Sequence, residues 1–347
     1  MNISIVTVYN SENCGSFLQS YALMKILENE GHRVSFLKRS SIGSSHSSFL
    51  LLARVIKYLF RGQVTMAKGL LNQHRSFSKA QQIFNISTNK ADMYVIGSDT
   101  LWAIENEYFN KNINLYLGAL FPSKKSITYA VSAGNTSFEQ FWGIPDITQK
   151  LERLKAISVR DKYTYELVGE KYGYEKINMV LDPTLLLDKD DYKEFSKSIL
   201  DAEYILIYTF SEPSLEEWNE IRKCSVDLGL DIITYGRISN KTKWISADPA
   251  SFISYFMNAR YIITDTFHGT IFSMIFHQNF IVLNRNKQKV VELLKQFNLS
   301  NRMINDSRKI KKIICQSIVY DEFEELREKF KCESLQYLKT NLETKEK

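Results

Sequence analysis

Short runs rich in β-branched residues alternate with helical stretches along nearly the whole chain, and that alternation admits few folds. ISIVTVY (3–9) leads into a polar loop. A stretch from Ser16 to Glu30 follows, in which Phe17, Tyr21, Met24 and Leu27 recur every three or four residues. Gly31 stands where a helix-ending glycine belongs, and RVSFL resumes as a strand. MYVIG (93–97), SITYAV (126–131), KAISVR (155–160) and NMVLD (178–182) continue the series. After a polar, turn-like stretch from Asp182 to Asp191 a second series begins. It comprises YILIYTF (204–210), a helix near Leu215 to Leu228, DIITY (231–235), a helix near Pro249 to Asn258, RYIITD (260–265) and FIVLN (280–284). Tyr320 to Leu338 reads as one charged amphipathic helix. Alternation of this kind gives parallel sheets with helices on both faces. Two such series predict an α/β chain of two doubly wound Rossmann-like domains facing a crevice, residues 1–187 and 188–347.

Composition bounds this reading. At 347 residues and 44% hydrophobic, the chain can bury two ordinary cores. Cys14, Cys224, Cys315 and Cys332 are scattered without a close pair, which excludes the common zinc spacings and predicts reduced thiols. MNISIVTVY lacks the basic start and apolar centre of a secretory signal, and no apolar stretch reaches the ~20 residues of a membrane span. The expected location is cytoplasmic.

Charge is uneven. Between Gly31 and Ala91 there is no Asp or Glu, but ten Lys and Arg, although the net charge of the chain is only +6. FLLLARVIKYLF (49–60) gives this tract an apolar side through Phe49, Leu50, Leu51, Ile56 and Leu59. A basic helical insertion over about 42–90 is either a solvated face or a peripheral contact with an anionic membrane surface. No nucleic-acid-binding motif is present, so nucleic acid is not expected as a partner.

Ligands of doubly wound folds bind beyond the carboxyl ends of strands. Four polar clusters lie there. In YNSENCGSFLQS (9–20), Asn10, Asn13, Gly15, Ser16 and Gln19 crowd a loop that opens a helix, without the glycine fingerprint of a nucleotide loop. Asn13 and Ser16 serve equally well as plain caps; Cys14 sits where a helix terminus can lower a thiol pKa, but no histidine neighbours it in sequence, so a nucleophile is not expected. In IGSDTLW (96–102), Ser98 and Asp99 offer a hydroxyl and a carboxylate, and Trp102 a flat ring for a sugar face. In ISVRDKYT (157–164), Arg160 is either a fork for a carboxylate or phosphate or half of an internal pair with Asp161. In ITDTFHGTIFS (263–273), His268 sits in a glycine-bearing loop at a helix start, suited to an anion or to proton transfer.

Taken in order, Asn10 to Leu23, GSDTLW, YAVSAG (129–134), SVRD, LDPTLLL (181–187) and DTFHGTIFS resemble the polysaccharide pyruvyl transferase family over about Ile3 to Arg285. The resemblance implies a glycosyltransferase-B type fold. It also implies transfer of the enolpyruvyl group of phosphoenolpyruvate to a sugar diol, forming a pyruvate ketal. By resemblance, Arg160 and His268 lie in the phosphoenolpyruvate pocket and the Ser98–Asp99 loop faces the acceptor. Better-studied members carry an arginine two positions before the motif histidine. Thr266 stands there in this chain, and Arg237 of YGRISNK is the candidate substitute.

This chemistry assigns His268 as acid or phosphate partner, Arg160 as carboxylate clamp and Asp99 as base. Thr266, Gly269, Thr270 and Arg237 join the donor side. Asn10, Asn13, Gly15, Ser16, Gln19, Ser98, Asp99 and Trp102 form the acceptor side. Helix N-termini at Gly15 and Gly269 add donors. No metal or cofactor is expected beyond phosphoenolpyruvate as co-substrate. The expected acceptor is a lipid-linked or oligosaccharide repeat unit of a surface polysaccharide. A nucleotide-sugar glycosyltransferase of the same fold is the alternative, and a non-catalytic carbohydrate-binding protein a third reading.

Overall fold

The computed structural model describes residues 1–38, 44–194, 196 and 203–343, without the side chains of 44–50. Among them two sheets form, and every pairing within them is parallel. The first has the order β3-β2-β1-β4-β5-β6-β7. Its strands are β1 (Asn2–Val6), β2 (Arg33–Leu37), β3 (Ile86–Ser87), β4 (Met93–Asp99), β5 (Ser126–Val131), β6 (Ile157–Val159) and β7 (Ile177–Met179). The second has the order β10-β9-β8-β11-β12-β13. It is built from β8 (Tyr204–Tyr208), β9 (Asp231–Tyr235), β10 (Lys243–Ile245), β11 (Tyr261–Thr264), β12 (Asn279–Leu283) and β13 (Met303–Ile304).

Strand order reverses between β1 and β4 in one sheet and between β8 and β11 in the other. Connections on either side of such a point leave in opposite directions and open a crevice at the carboxyl ends. The loops after β1, β4 and β11 carry three of the polar clusters read from the sequence, and the fourth, with Arg160, follows β6.

Local signals explain the helices around the crevice. Asn13 Oδ1 accepts from the backbone N–H groups of Gly15 and Ser16 and starts the helix Cys14–Asn29. Ser214 and Glu217 form a capping box for Leu215–Leu228, which Gly229 ends in a left-handed conformation. Asp248 caps Pro249–Asn258, and Thr266 caps Phe267–Ile275 through the Gly269 N–H.

The largest apolar cluster runs through both halves. It joins Phe17, Tyr21 and Leu27 to Leu185, Tyr192, Phe252, Phe272 and Phe276. The Tyr192 and Phe272 rings meet edge to face at 5.1 Å. Because the cluster runs unbroken from Phe17 and Leu185 to Phe252 and Phe272, it fixes one half against the other.

The division expected at Leu187 falls between the sheets, but the final helix, Asp321–Leu342, returns to the first one. Its Tyr337 hydroxyl donates to Thr128 O at 2.8 Å, Ser334 Oγ accepts from Leu181 N, and Arg327 holds the carbonyls of Leu185 and Leu187. The basic insertion consists of the helices Ser44–Phe60 and Val64–Ala80. Its expected start near residue 42 lies outside the described residues, as do the side chains of Phe49 and Leu50. Among the described residues no helix is long and apolar enough to cross a membrane.

Candidate active site

The loops at both reversal points line one cleft of about 610 Å³. Asn13, Ser16, Asp99 and Thr100 come from the first sheet, and Tyr208, Phe210, Thr266 and His268 from the second. Arg160 closes the floor, the loop after β12 adds Arg285 and Lys287, and the start of the helix Gln288–Gln296 adds Lys289. Asp99, Arg160 and His268, separated by up to 169 positions in sequence, thus share one space.

Beneath it lies a buried charge cluster. Arg160 donates to Asp182 at 2.6 Å, and its other terminal nitrogen lies 3.6 Å from Asp99. His268 Nε2 is 3.7 Å from the same Asp182 carboxylate, beyond hydrogen-bond range. Asp182 also accepts from the backbone and hydroxyl of Thr184. Burial alone would raise the Asp182 carboxyl. His268 and Arg160 outweigh it and hold that carboxyl well below the usual carboxylate range. Burial acts on Asp99 in the same way, and Arg160, His268 and the Ser16 hydroxyl again win, so Asp99 too is lowered. Arg160 keeps its proton more tightly than usual: burial opposes this, but Asp182 and Asp99 prevail.

Asp99 is held from several sides. Ser16 Oγ donates to one carboxylate oxygen at 2.8 Å, and Thr100 N donates to the other at 2.7 Å. Its φ of 97° is one that side-chain-bearing residues rarely adopt, and such backbone concentrates at functional sites. Gly97, two positions before it, has no room for a side chain, since a Cβ there would lie 1.9 Å from Tyr129 O. Gly15 is constrained from across the cleft: a Cβ would fall 2.2 Å from His268 Nδ1.

Several expected roles are corrected. Trp102 is fully buried and donates from Nε1 to Tyr116 O at 2.9 Å, so its ring offers no face to a sugar. Ser98 and Gln19 are buried beneath the cleft. Ser98 Oγ lies 3.4 Å from both Arg160 and Asp182, and Gln19 Nε2 donates to Thr7, Ser16 and Ser20. Asn10 is exposed and outside the lining. Arg237 does not line the cleft either, being turned to Glu212, and is no substitute for the arginine absent at Thr266. Thr270 is buried, with its hydroxyl donating to Thr266 O. The Gly15 and Gly269 N–H groups, expected to face a ligand, are taken by their own caps, Asn13 and Thr266. Asp161 caps the helix Lys162–Tyr172, leaving Asp182 as the pairing partner of Arg160. The Cys14 thiol is raised by burial and then by Asp248, the opposite of an activated nucleophile.

Asp182 and the basic loop were not anticipated as site residues. Asp182 stands in LDPTLLL, where it reads as part of a boundary turn. RNKQK (285–289) follows an apolar strand directly, so the strand-end criterion applied to the other clusters singles it out as well. Arg285 is committed to Glu217 by two hydrogen bonds, and Lys287 donates to Asp265 O at 2.9 Å. Lys289 has no carboxylate partner among the described residues, and its ammonium sits over Phe267 at 5.9 Å. Burial, and then the nearby Arg160 charge, lower its pKa. It is a partly buried cation lining the cleft.

The fold is shared with known proteins. The glycotransferase of kitacinnamycin superposes with a TM-score of 0.51 at 12% identity, covering 99% of each chain. The UDP-GlcNAc 2-epimerase of Neisseria meningitidis gives 0.53 at 10% identity, again covering 99% of each. These likenesses define a two-domain α/β fold of the glycosyltransferase-B type. No curated protein matches the chain in sequence. The family model for polysaccharide pyruvyl transferases matches residues 13–287, which take in every cleft residue from Asn13 to Lys287. The chain belongs to the polysaccharide pyruvyl transferase family.

Proposed function

We propose that the protein transfers the enolpyruvyl group of phosphoenolpyruvate to a sugar diol of a surface polysaccharide repeat unit, releasing phosphate. The observation that carries this reading is the convergence of Asp99, His268 and Lys289 on one cleft between the two sheets. A small, strongly anionic donor needs fixed positive charge, and Lys289 supplies it on one wall, with Arg160 beneath and Lys287, paired with Asp265 at 3.5 Å, beside it.

The steps follow from what the donor requires. His268, backed by the Asp182 carboxylate, gives a proton to the donor methylene carbon, and positive character develops at the adjacent carbon. A sugar hydroxyl held by Asp99 attacks that carbon. A carboxylate with a lowered pKa is a weak base toward a neutral hydroxyl, but it readily takes the proton once the new C–O bond has made the oxygen positive. Phosphate leaves toward Lys287 and Lys289. The second hydroxyl then closes the ketal and returns a proton to His268, while the proton on Asp99 leaves with the phosphate, so both groups regain their starting states. Arg160, tied to Asp182 and Asp99, sets their positions and adds a positive field more than it clamps substrate. The acceptor side is the wall of Asn13, Ser16, Asp99 and Thr100.

Thermal shift tests the donor. Phosphoenolpyruvate should raise the melting temperature of the wild-type protein, and that of Lys289→Gln by less at the same concentration. A shift with a sugar nucleotide and none with phosphoenolpyruvate would transfer the cleft to the glycosyltransferase alternative.

A further inference from the structure

We propose that the hairpin formed by the helices Ser44–Phe60 and Val64–Ala80 docks the protein on an anionic lipid surface, beside the mouth of the cleft. The first helix carries two apolar stripes. Leu51, Val55 and Tyr58 face the second helix and form a small core with Ala67 and Leu70. Leu52, Ile56, Leu59 and Phe60, also at helical spacing, face solvent, with Phe60 at the turn 89% exposed. Val64, across the turn, is 47% exposed. An apolar stripe left bare on a short hairpin marks an interaction surface.

Charge selects the partner. Arg54, Lys57, Arg61 and Lys68 on the same hairpin are exposed, and the chain from Gly31 to Ala91 holds no acid to offset them. Two copies meeting through this face would set their basic residues against each other. An anionic bilayer accepts the apolar side chains and neutralises the basic ones together.

The hairpin is tied to the site. His74 Nδ1 lies 2.6 Å from Glu12, and Gln81 donates to Ser11 O, so the second helix grips the loop whose Ser11 and Asn13 line the cleft. On its other side it presses Trp244 of β10 so closely that a Cβ at Gly69 would lie 2.2 Å from that ring. Docking through the turn therefore places the acceptor wall one helix length, roughly 15–25 Å, from the lipid. This purpose rests on the proposed acceptor being lipid-linked, whereas the binding itself does not.

Flotation of the full chain with substrate-free vesicles tests the inference. Binding is expected to phosphatidylcholine vesicles containing phosphatidylglycerol, to fade at high salt, and to be absent with phosphatidylcholine alone. Leu59→Glu/Phe60→Glu and Lys57→Glu/Arg61→Glu should each lower partition by roughly tenfold or more. Phosphate release with a water-soluble acceptor should be unchanged in both, so loss of docking is distinguishable from loss of the reaction. Equal binding to neutral and anionic vesicles, or variants that float like wild type, would overturn the proposal. So would a change from dimer to monomer by light scattering in Leu59→Glu/Phe60→Glu, which would assign the face to a second copy.

Discussion

Gly15 and His268 meet across the cleft so closely that a single added carbon on the glycine would lie 2.2 Å from the imidazole Nδ1. Gly15 opens the first helix of one sheet, and His268 lies in the first turn of a helix of the other. Their contact locks the imidazole in place over Asp182. The absent side chain is therefore a requirement of the site rather than of the helix.

Gly15→Ala separates these two explanations. In an ordinary helix the change stabilises by up to about 1 kcal/mol. Here the new methyl displaces the imidazole, and misplacement by about 1 Å costs on the order of 10²-fold in rate. Turnover should fall by about that factor, with the melting temperature held or lowered only slightly.

His268→Gln should lower turnover by about 10²- to 10⁴-fold, the usual contribution of a positioned acid. His268 Nε2 has no hydrogen-bond partner among the described residues, so the thermal midpoint should move little. A large fall in midpoint would make the histidine a structural residue.

Asp182 is the electrostatic keystone beneath the cleft. Asp182→Ala leaves Arg160 buried without its closest counter-charge and should cost about 3–5 kcal/mol of stability. The pH dependence has a definite sign. The folded protein holds the Asp182 carboxyl below its unfolded value of about 3.9, so its contribution is complete above that pH and is lost as pH falls further toward the folded value. Melting curves below about pH 4 should drop more gently for Asp182→Asn than for wild type.

Lys289→Gln should weaken donor binding by roughly ten- to a hundredfold, the loss of one hydrogen bond to a charged group. Because Lys289 and Arg160 repel in the empty cleft, the variant should be at least as stable as wild type. Isothermal titration with phosphoenolpyruvate and a thermal melt check the two halves of this expectation.

Trp102→Phe should leave acceptor KM unchanged. Trp102→Ala should instead destabilise the fold by about 3–5 kcal/mol, because the indole fills the core beside Phe141. A raised acceptor KM in the phenylalanine variant would restore the stacking role expected from the sequence.

The fold was legible where local chemistry and pattern agree. β2, β5 and β9 fall residue for residue on the sequence reading, and the helices Leu215–Leu228 and Pro249–Asn258 form where helices were expected, each bounded by a turn, a cap or a proline. β3, β10 and β13 were missed. Each has two or three residues at the edge of a sheet, too few to show a period. At the site, the rule that function lies beyond strand ends located Asp99, Arg160 and His268. It cannot tell which way a side chain points, so Trp102 and Gln19 were assigned to a surface that they underlie. Lys289 escaped notice because a charged turn looks solvated until the opposite domain covers it. Asp182 escaped because the distance from Arg160, 22 positions in sequence, carries no local signal.

The central claim is tested most directly by following phosphate release from phosphoenolpyruvate across a panel of lipid-linked and aryl hexosides, with the mass of each sugar read afterwards. The account predicts release that depends on an acceptor, disappears in His268→Gln, and is matched by the mass gain of a pyruvate ketal on one sugar. Sugar transfer from a nucleotide donor to the same acceptors, with phosphoenolpyruvate left intact throughout, would contradict it.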